Sequence, residues 1–196
     1  MREPKTWCTH KEYDWISDTI RSVEVEADFP IVLEIGSWYG SGSRSMGIAA
    51  RERGWPLFCV DLWAVRVPGT LQTDTNQFQE ESETLAIFKE WLENMRAEGL
   101  LGTTAHPVVG NSNTVVPAMW TGECLAFAWV DGCHNSPWQN VDIENAARLL
   151  LPGGIMGIHD VQFDMVNNAV NEFSESHDGV VEIDVPCSRI RAFERK

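Results

Sequence analysis

Residues 30–43 read PIVLEIGSWYGSGS, and this stretch decides the fold. The apolar run at residues 31–35 follows Pro30 and is typical of a buried strand. Glycine and serine residues then form a turn, and residues 44–53 have helical spacing that ends at Gly54. A buried strand, a glycine-rich turn and a helix in this order indicate the beginning of an α/β fold.

The rest of the chain alternates short β-rich runs with longer helical patterns. Further strands are predicted at residues 57–60, 107–109, 125–130 and 155–158. Helices are predicted at residues 78–98, 138–151 and 165–174, with another one capped by Ser112 or Asn113 and running toward Trp120. Residues 62–76 form a long polar loop, and residues 180–185 and 190–193 form a terminal hairpin.

This order predicts a doubly wound, mostly parallel, seven-stranded Rossmann-like α/β sheet with a C-terminal antiparallel hairpin. We expect one domain over residues 1–196, with an N-terminal helical segment at about residues 1–28 and a core at about residues 29–196.

The chain is strongly acidic, with a formal net charge of -14 and a pI near 4.7. Its basic residues are scattered, apart from a short cluster near the end: Arg189, Arg191, Arg195 and Lys196. Nucleic-acid binders carry a basic stripe, so we expect no nucleic-acid partner. The acidity suits a cationic ligand, although it can equally serve solubility alone.

The five cysteines are widely spaced and include no C-x-x-C pair, which argues against a disulfide framework or a structural zinc site. No segment approaches the roughly 18 apolar residues of a membrane span. The first residues contain no apolar core of signal-peptide length. We therefore expect a cytoplasmic protein without membrane contact.

Titratable side chains follow four of the predicted strands, at Glu34, Asp61, Asp131 and the pair His159-Asp160. In an open α/β sheet, ligands bind outside the carboxyl ends of the strands. The glycine spacing after the first strand is neither G-x-G-x-x-G nor that of a P-loop. The glycine-rich turn and Asp61 together favour a site for an adenosine-containing cofactor over a turn in which glycine serves the backbone alone.

Two stretches resemble a known family. VLEIGSWYGSGS, followed by Asp61, is similar to the first two motifs of class I S-adenosylmethionine-dependent methyltransferases. Residues 130–160, VDGCHNSPWQNVDIENAARLLLPGGIMGIHD, resemble a signature of sugar and antibiotic O-methyltransferases such as the macrocin and mycinamicin enzymes. The resemblance covers about residues 30–175, and the terminal hairpin agrees with that family.

The resemblance implies a cofactor site and assigns its parts. The methionine part would be held by Glu34, Gly36, Ser37 and Gly40. Asp61 would accept hydrogen bonds from the ribose, and Asn111 and Ser112 would lie beside the adenine. Trp63 would pack on the adenine or close the loop over it; the alternative is a core or surface aromatic.

The resemblance also implies a divalent-cation site, often for magnesium, at Asp131, His159 and Asp160. The imidazole of His159 is a softer ligand than the carboxylate of several relatives, and its alternative role is to cap the strand end. His134 matches a proposed general base, although it can also only hydrogen-bond its turn.

We therefore predict S-adenosylmethionine-dependent O-methylation of a small polar acceptor, such as a sugar hydroxyl, with assistance from Mg²⁺ or another divalent cation. One alternative is an NAD(P)-dependent oxidoreductase, against which the glycine spacing and the terminal hairpin count. The other is a non-catalytic cofactor-binding or scaffold protein of the same fold. Relatives often assemble through N-terminal segments, which suggests a homo-oligomer.

Overall fold

The computed structural model describes residues 6, 8–63 and 81–196. Six helices in this part of the chain are α1 (His10–Ser22), α2 (Ser41–Arg53), α3 (Glu81–Ala97), α4 (Ser112–Met119), α5 (Trp138–Leu149) and α6 (Asp164–Ser176). The strands are β1 (Ile31–Ile35), β2 (Leu57–Asp61), β3 (Ala105–Val109), β4 (Leu125–Val130), β5 (Leu150–Ile158), β6 (Val180–Ile183) and β7 (Arg191–Arg195). Most of the predicted loop at residues 62–76 lies outside the described residues.

The seven strands form one sheet in the order β3-β2-β1-β4-β5-β7-β6. The first five strands are parallel, and β7 pairs antiparallel with both β5 and β6. The predicted fold is therefore confirmed. The strand order reverses between β1 and β4, so a crevice opens at the carboxyl ends of these two strands.

Both faces of the sheet are covered by helices, which explains why β4 is apolar throughout and β1 is apolar apart from Glu34. Every residue of β4 is buried. On one face the core is built from α1, α2 and α3, with Trp91 and Trp129 among its largest buried side chains. On the other face α4, α5 and α6 pack around residues such as Phe173. No described helix is both long enough and apolar enough to cross a membrane.

Local signals fix the ends of the helices near the crevice. Helix α1 begins with a capping box, in which the side chain of Thr9 accepts from the backbone of Glu12 and the Glu12 side chain accepts from Thr9. Helix α4 is capped by Asn111, whose side chain accepts from the backbone N–H of Asn113. The predicted cap at Ser112 or Asn113 was thus one or two residues too late, because the side chain that accepts this N–H is that of Asn111.

Strand β5 begins five residues earlier than the sequence pattern suggested. Leu150 already pairs with Leu125 of β4, although Pro152-Gly153-Gly154 resembles a break before the strand. A register shift between Leu125 and Phe127 accommodates the extra residues, so the glycines lie inside an irregular strand rather than before it.

Candidate active site

A cavity of about 500 Å³ opens at the carboxyl ends of the five parallel strands, β1 to β5. The predicted site residues that line it are Glu34, Gly36, Ser37, Asp61, Asn111, Ser112, Asp131, His134 and Asp160. These residues come from five strand ends and the loops after them, as the parallel topology requires. Gly40, Trp63 and His159 were also predicted to take part, but they are not among the lining residues.

Gly36 allows the turn after β1 to approach the end of β4. Its φ is +89°, and a Cβ at this position would lie 2.0 Å from the backbone oxygen of Asp131. Any side chain would therefore overlap with the β4 backbone, and the left-handed conformation adds its own cost. Glycine at this position is required for the shape of the cavity.

Asp61 holds the same turn from the side of β2. One carboxylate oxygen accepts the backbone N–H groups of Ser37 at 2.9 Å and Trp38 at 2.8 Å. The other oxygen accepts the N–H of Trp63 at 3.0 Å. Burial raises the pKa of Asp61, and these backbone hydrogen bonds oppose that rise. The carboxylate thus organises the turn in addition to facing the cavity.

Glu34 is deeply buried in the cavity wall, with 1% of its surface exposed. Ser43 donates its hydroxyl to Glu34 and accepts a hydrogen bond from Trp91 Nε1 at 2.8 Å. Burial raises the pKa of Glu34 to about 7, against the hydrogen bonds of neighbouring side chains. Burial disfavours the ionised form of Glu34, so a ligand that brings a positive charge would stabilise that form.

Trp63 and Gly40 support the cavity from below. Trp63 is 3% exposed and packs on Phe88 and Trp91, with ring centroids 4.7 and 5.2 Å away. Its indole Nε1 donates to the backbone oxygen of Trp38 at 2.9 Å. Gly40 has a φ of +87°, and a Cβ on it would lie 2.6 Å from the Trp91 ring. Trp63 is therefore a core aromatic, which was the alternative to a contact with adenine. Gly40 allows close packing against Trp91.

His134 lies between two carboxylates at the cavity wall. Its Nε2 is 3.5 Å from Asp160 Oδ2 and 3.9 Å from Asp131 Oδ1, both too long for a hydrogen bond. Within the described residues this buried nitrogen has no hydrogen-bond partner. Burial alone would lower the pKa of His134, but the two carboxylates outweigh it and raise the pKa.

His159 lies behind the cavity wall, with its side chain fully buried. Its Nδ1 is 3.1 Å from Asp131 Oδ1, and its Nε2 is 3.5 Å from Glu12 Oε1 and 3.7 Å from Cys8 Sγ. Burial opposes protonation, but Asp131 and Cys8 raise the pKa of His159 to about 11. His159 Nδ1 also lies 3.5 Å from Asp160 Oδ1, so this side of the ring faces the two carboxylates with which it was expected to act, while Nε2 faces Glu12 and Cys8.

Several residues near the site were missed by sequence reasoning. Arg189 donates to Asp160, and Gln162 donates to the same carboxylate oxygen at 2.8 Å. Asp142 accepts from Asn113 at 2.6 Å, and burial raises its pKa to about 6. Glu12 gave only a helix-cap signal, and Arg189 only a place in the terminal basic cluster.

Comparison with known families identifies the chemistry of this cavity. A family model described as a methyltransferase domain matches residues 33–161, which include β1 to β5 and most of the cavity wall. The chain belongs to this methyltransferase family. The prediction of an S-adenosylmethionine-dependent methyltransferase is confirmed, and the oxidoreductase alternative is set aside.

Solved structures with this fold have low sequence identity to the methyltransferase described here. The O-methyltransferase NovP aligns with a TM-score of 0.71 at 16% identity, over 94% of this chain and 79% of its own. CalS11, a TDP-rhamnose 3'-O-methyltransferase of calicheamicin biosynthesis, aligns with a TM-score of 0.61 at 14% identity, over 93% of this chain and 77% of its own. The S-adenosylhomocysteine-bound methyltransferase PaMTH1 of Podospora anserina aligns with a TM-score of 0.67 at 13% identity, over 96% of this chain and 80% of its own. These likenesses support the fold.

The residues of the methyltransferase cavity fit S-adenosylmethionine. Gly42 leaves room beside Glu34, since a Cβ on it would lie 2.6 Å from Glu34 Oε1. Gly42, at the start of α2, thus makes room for the Glu34 side chain, and Glu34 lines the cavity where a ligand can reach it. Acids outnumber bases among the lining residues, which suits the positive sulfonium and amino groups of the cofactor.

Proposed function

We propose that this methyltransferase methylates a hydroxyl of a small polar acceptor, such as a sugar, with the help of a divalent cation. The observation that carries the proposal is the Nε2 of His134, which lies between Asp131 and Asp160 at the cavity wall and has no hydrogen-bond partner among the residues that the structure describes. A basic nitrogen in this position can take the proton that a hydroxyl must lose. The description of CalS11 as a TDP-rhamnose 3'-O-methyltransferase makes a sugar the first acceptor to test.

The chain contributes orientation as well as proton removal. Bound S-adenosylmethionine supplies an electrophilic methyl group, which must lie in line with the acceptor oxygen. The turn held by Gly36 and Asp61 fixes the cofactor side of the cavity, and His134 lies on the β4 side. A protonated His134 would then be stabilised by Asp131 and Asp160.

We assign the cation to the carboxylates of Asp131 and Asp160. Oxygen donors of this kind suit Mg²⁺, which when bound lowers the pKa of an acceptor hydroxyl. His159 leaves the donor set in this proposal, because we assign its Nδ1 to the hydrogen bond with Asp131, beside Asp160, and its Nε2 faces Glu12 and Cys8. His134 is the alternative third donor, because a nitrogen of its ring and one oxygen of each carboxylate lie within 4.8 Å of one another.

The proposal is tested with labelled S-adenosylmethionine and a panel of glycosides and sugar nucleotides, with Mg²⁺ or with a chelator. We expect transfer that the chelator abolishes and that Asp160→Asn reduces by at least about tenfold. Asp164→Asn, at the exposed start of α6, is the matched control and keeps full activity. Transfer that survives both the chelator and Asp160→Asn would remove the cation from the proposal.

One further outcome concerns the class of protein. Tight binding of S-adenosylhomocysteine without transfer to any acceptor in the panel would favour the non-catalytic alternative. We also propose a reducing, cytoplasmic location, which the five free cysteines support.

A further inference from the structure

Three side chains with metal-binding atoms meet behind the cavity wall, on the side away from His134. They are Cys8, just before α1, Glu12 in its first turn, and His159 at the end of β5. Their sulfur, oxygen and nitrogen donor atoms all lie within 4.8 Å of one another. Glu12 and His159 are buried, and Cys8 is partly buried.

Two of the three separations between these atoms match those of ligands around one tetrahedral ion. His159 Nε2 lies 3.7 Å from Cys8 Sγ and 3.5 Å from Glu12 Oε1. Zinc bonds of about 2.0–2.3 Å at tetrahedral angles place neighbouring ligand atoms about 3.3–3.8 Å apart. A direct hydrogen bond between His159 and Glu12 would require a shorter separation than the observed one.

The surroundings of the three ligands are also those of a metal centre. The second carboxylate oxygen of Glu12 accepts the backbone N–H of Thr9 at 2.5 Å, so the capping box holds Oε1 toward His159. Asp131 lies 3.1 Å from His159 Nδ1, on the far side of the ring. A carboxylate behind a ligating imidazole fixes its tautomer and orientation in zinc sites.

We propose that Cys8, Glu12 and His159 form a site for a thiophilic divalent metal, zinc first, separate from the cation site at Asp131 and Asp160. A sulfur, an imidazole and a carboxylate are a ligand set that zinc accepts and magnesium does not. Water from the cavity, which Cys8 lines, completes the tetrahedron. The two sites share Asp131, which orients His159 and faces His134.

The metal would tie the N-terminal segment to the sheet. Thr6, Cys8 and Tyr13 all line the cavity, and Cys8 precedes α1 directly. A metal ion bound by Cys8, Glu12 and His159 would fix this wall of the cavity against the end of β5. The cysteine spacing does not reveal the site, because its ligands are spread from residue 8 to residue 159.

Cobalt substitution tests the site without any assay of methyl transfer. The full-length protein, reduced and free of metal, is titrated with Co²⁺, and the absorption of the cobalt–thiolate bond is followed. We expect a band that saturates at about one Co²⁺ per chain, and zinc that displaces it. Cys8→Ser abolishes the band, whereas Cys124→Ser, a partly buried cysteine packed against the other core, keeps it.

Two further variants keep the test decisive. Glu12→Gln preserves the capping box and is expected to weaken Co²⁺ binding by at least about tenfold. Asp160→Asn impairs the proposed magnesium site and leaves the cobalt band in place, so the two proposals fail separately. No thiolate band in the folded wild-type protein, or a band unchanged in Cys8→Ser, would overturn the zinc site.

Discussion

The partly buried imidazole of His134, with its buried Nε2, shows how single atoms define this site. Its Nε2 has two carboxylates at 3.5 and 3.9 Å and no hydrogen bond among the described residues. A polar atom left unpaired in a buried position costs free energy, so such an atom indicates a missing partner. The hydroxyl of the acceptor is the partner that the proposed reaction supplies.

Replacing His134 by alanine is expected to slow the chemical step by about a hundredfold or more, because proton removal loses its base. Exogenous imidazole should restore part of the rate in a single-turnover assay. His10→Ala, at an exposed position at the start of α1, is the control and keeps the wild-type rate. Rescue by raised Mg²⁺ instead of imidazole would show that His134 is a cation ligand.

Glu34 links the cofactor site to stability. Its pKa is about 7 in the folded protein against an ordinary value of 4.5. The unfolded chain therefore loses this proton first as pH rises. The stability associated with the neutral side chain is fully present below pH 4.5 and is lost by about pH 7. The shift corresponds to a cost of about 3 kcal/mol above that range.

We expect Glu34→Gln to raise the melting temperature at pH 8 and to leave it unchanged at pH 4, while it weakens S-adenosylhomocysteine binding at pH 8. Thermal unfolding at both pH values, with calorimetric titration at pH 8, measures these effects. An equal change in melting temperature at both pH values would mean that ionisation of Glu34 is not the cause.

At the scale of elements, the turn between β1 and α2 sets the geometry of the cavity. Gly36→Ala would place a methyl group 2.0 Å from the Asp131 backbone oxygen, and we expect a loss of at least about 3 kcal/mol in the free energy of unfolding. Gly54→Ala is the matched control, since its φ is +69° with nothing within 4 Å of a Cβ. It should cost only about 1–2 kcal/mol.

Urea unfolding of the two variants measures this difference directly. Equal costs for Gly36→Ala and Gly54→Ala would mean that the close approach of β1 and β4 contributes nothing beyond the backbone conformation.

Elements with a strong local signal were predictable from the sequence. The bounds of β1 and β4 were predicted correctly, because strands buried on both faces are mostly apolar. The early start of β5 was not predictable, since its pairing with β4 overrides the break that a proline and two glycines suggest. Pairing of this kind depends on a neighbour distant in sequence.

The same reason separates the predicted site residues from the missed ones. Asp61, Asp131 and Asp160 follow strands, and a parallel sheet brings its strand ends together whatever lies between them. Glu12 and Arg189 reach the site from α1 and from the segment before β7. Only the packing of these elements brings them to Asp160 and His159, and no local pattern reports that packing.

At the scale of the whole molecule, the charge of -14 governs which partners can approach. The phosphate backbone of RNA or DNA would be repelled, so we expect no retention of labelled tRNA or duplex DNA in a filter-binding assay at low salt. Low salt is the most permissive condition, since screening is weakest there. Micromolar binding at low salt would require a basic surface that the charge balance does not suggest.

The central claim is that the cavity at the strand ends binds the methyl donor through the turn that Asp61 holds. Calorimetric titration with S-adenosylhomocysteine, with and without Mg²⁺, tests it most directly. The account predicts micromolar binding to the wild-type protein, at least about tenfold weaker binding to Asp61→Ala, and unchanged binding to Asp164→Ala. No binding under either condition, or equal binding to Asp61→Ala, would contradict it.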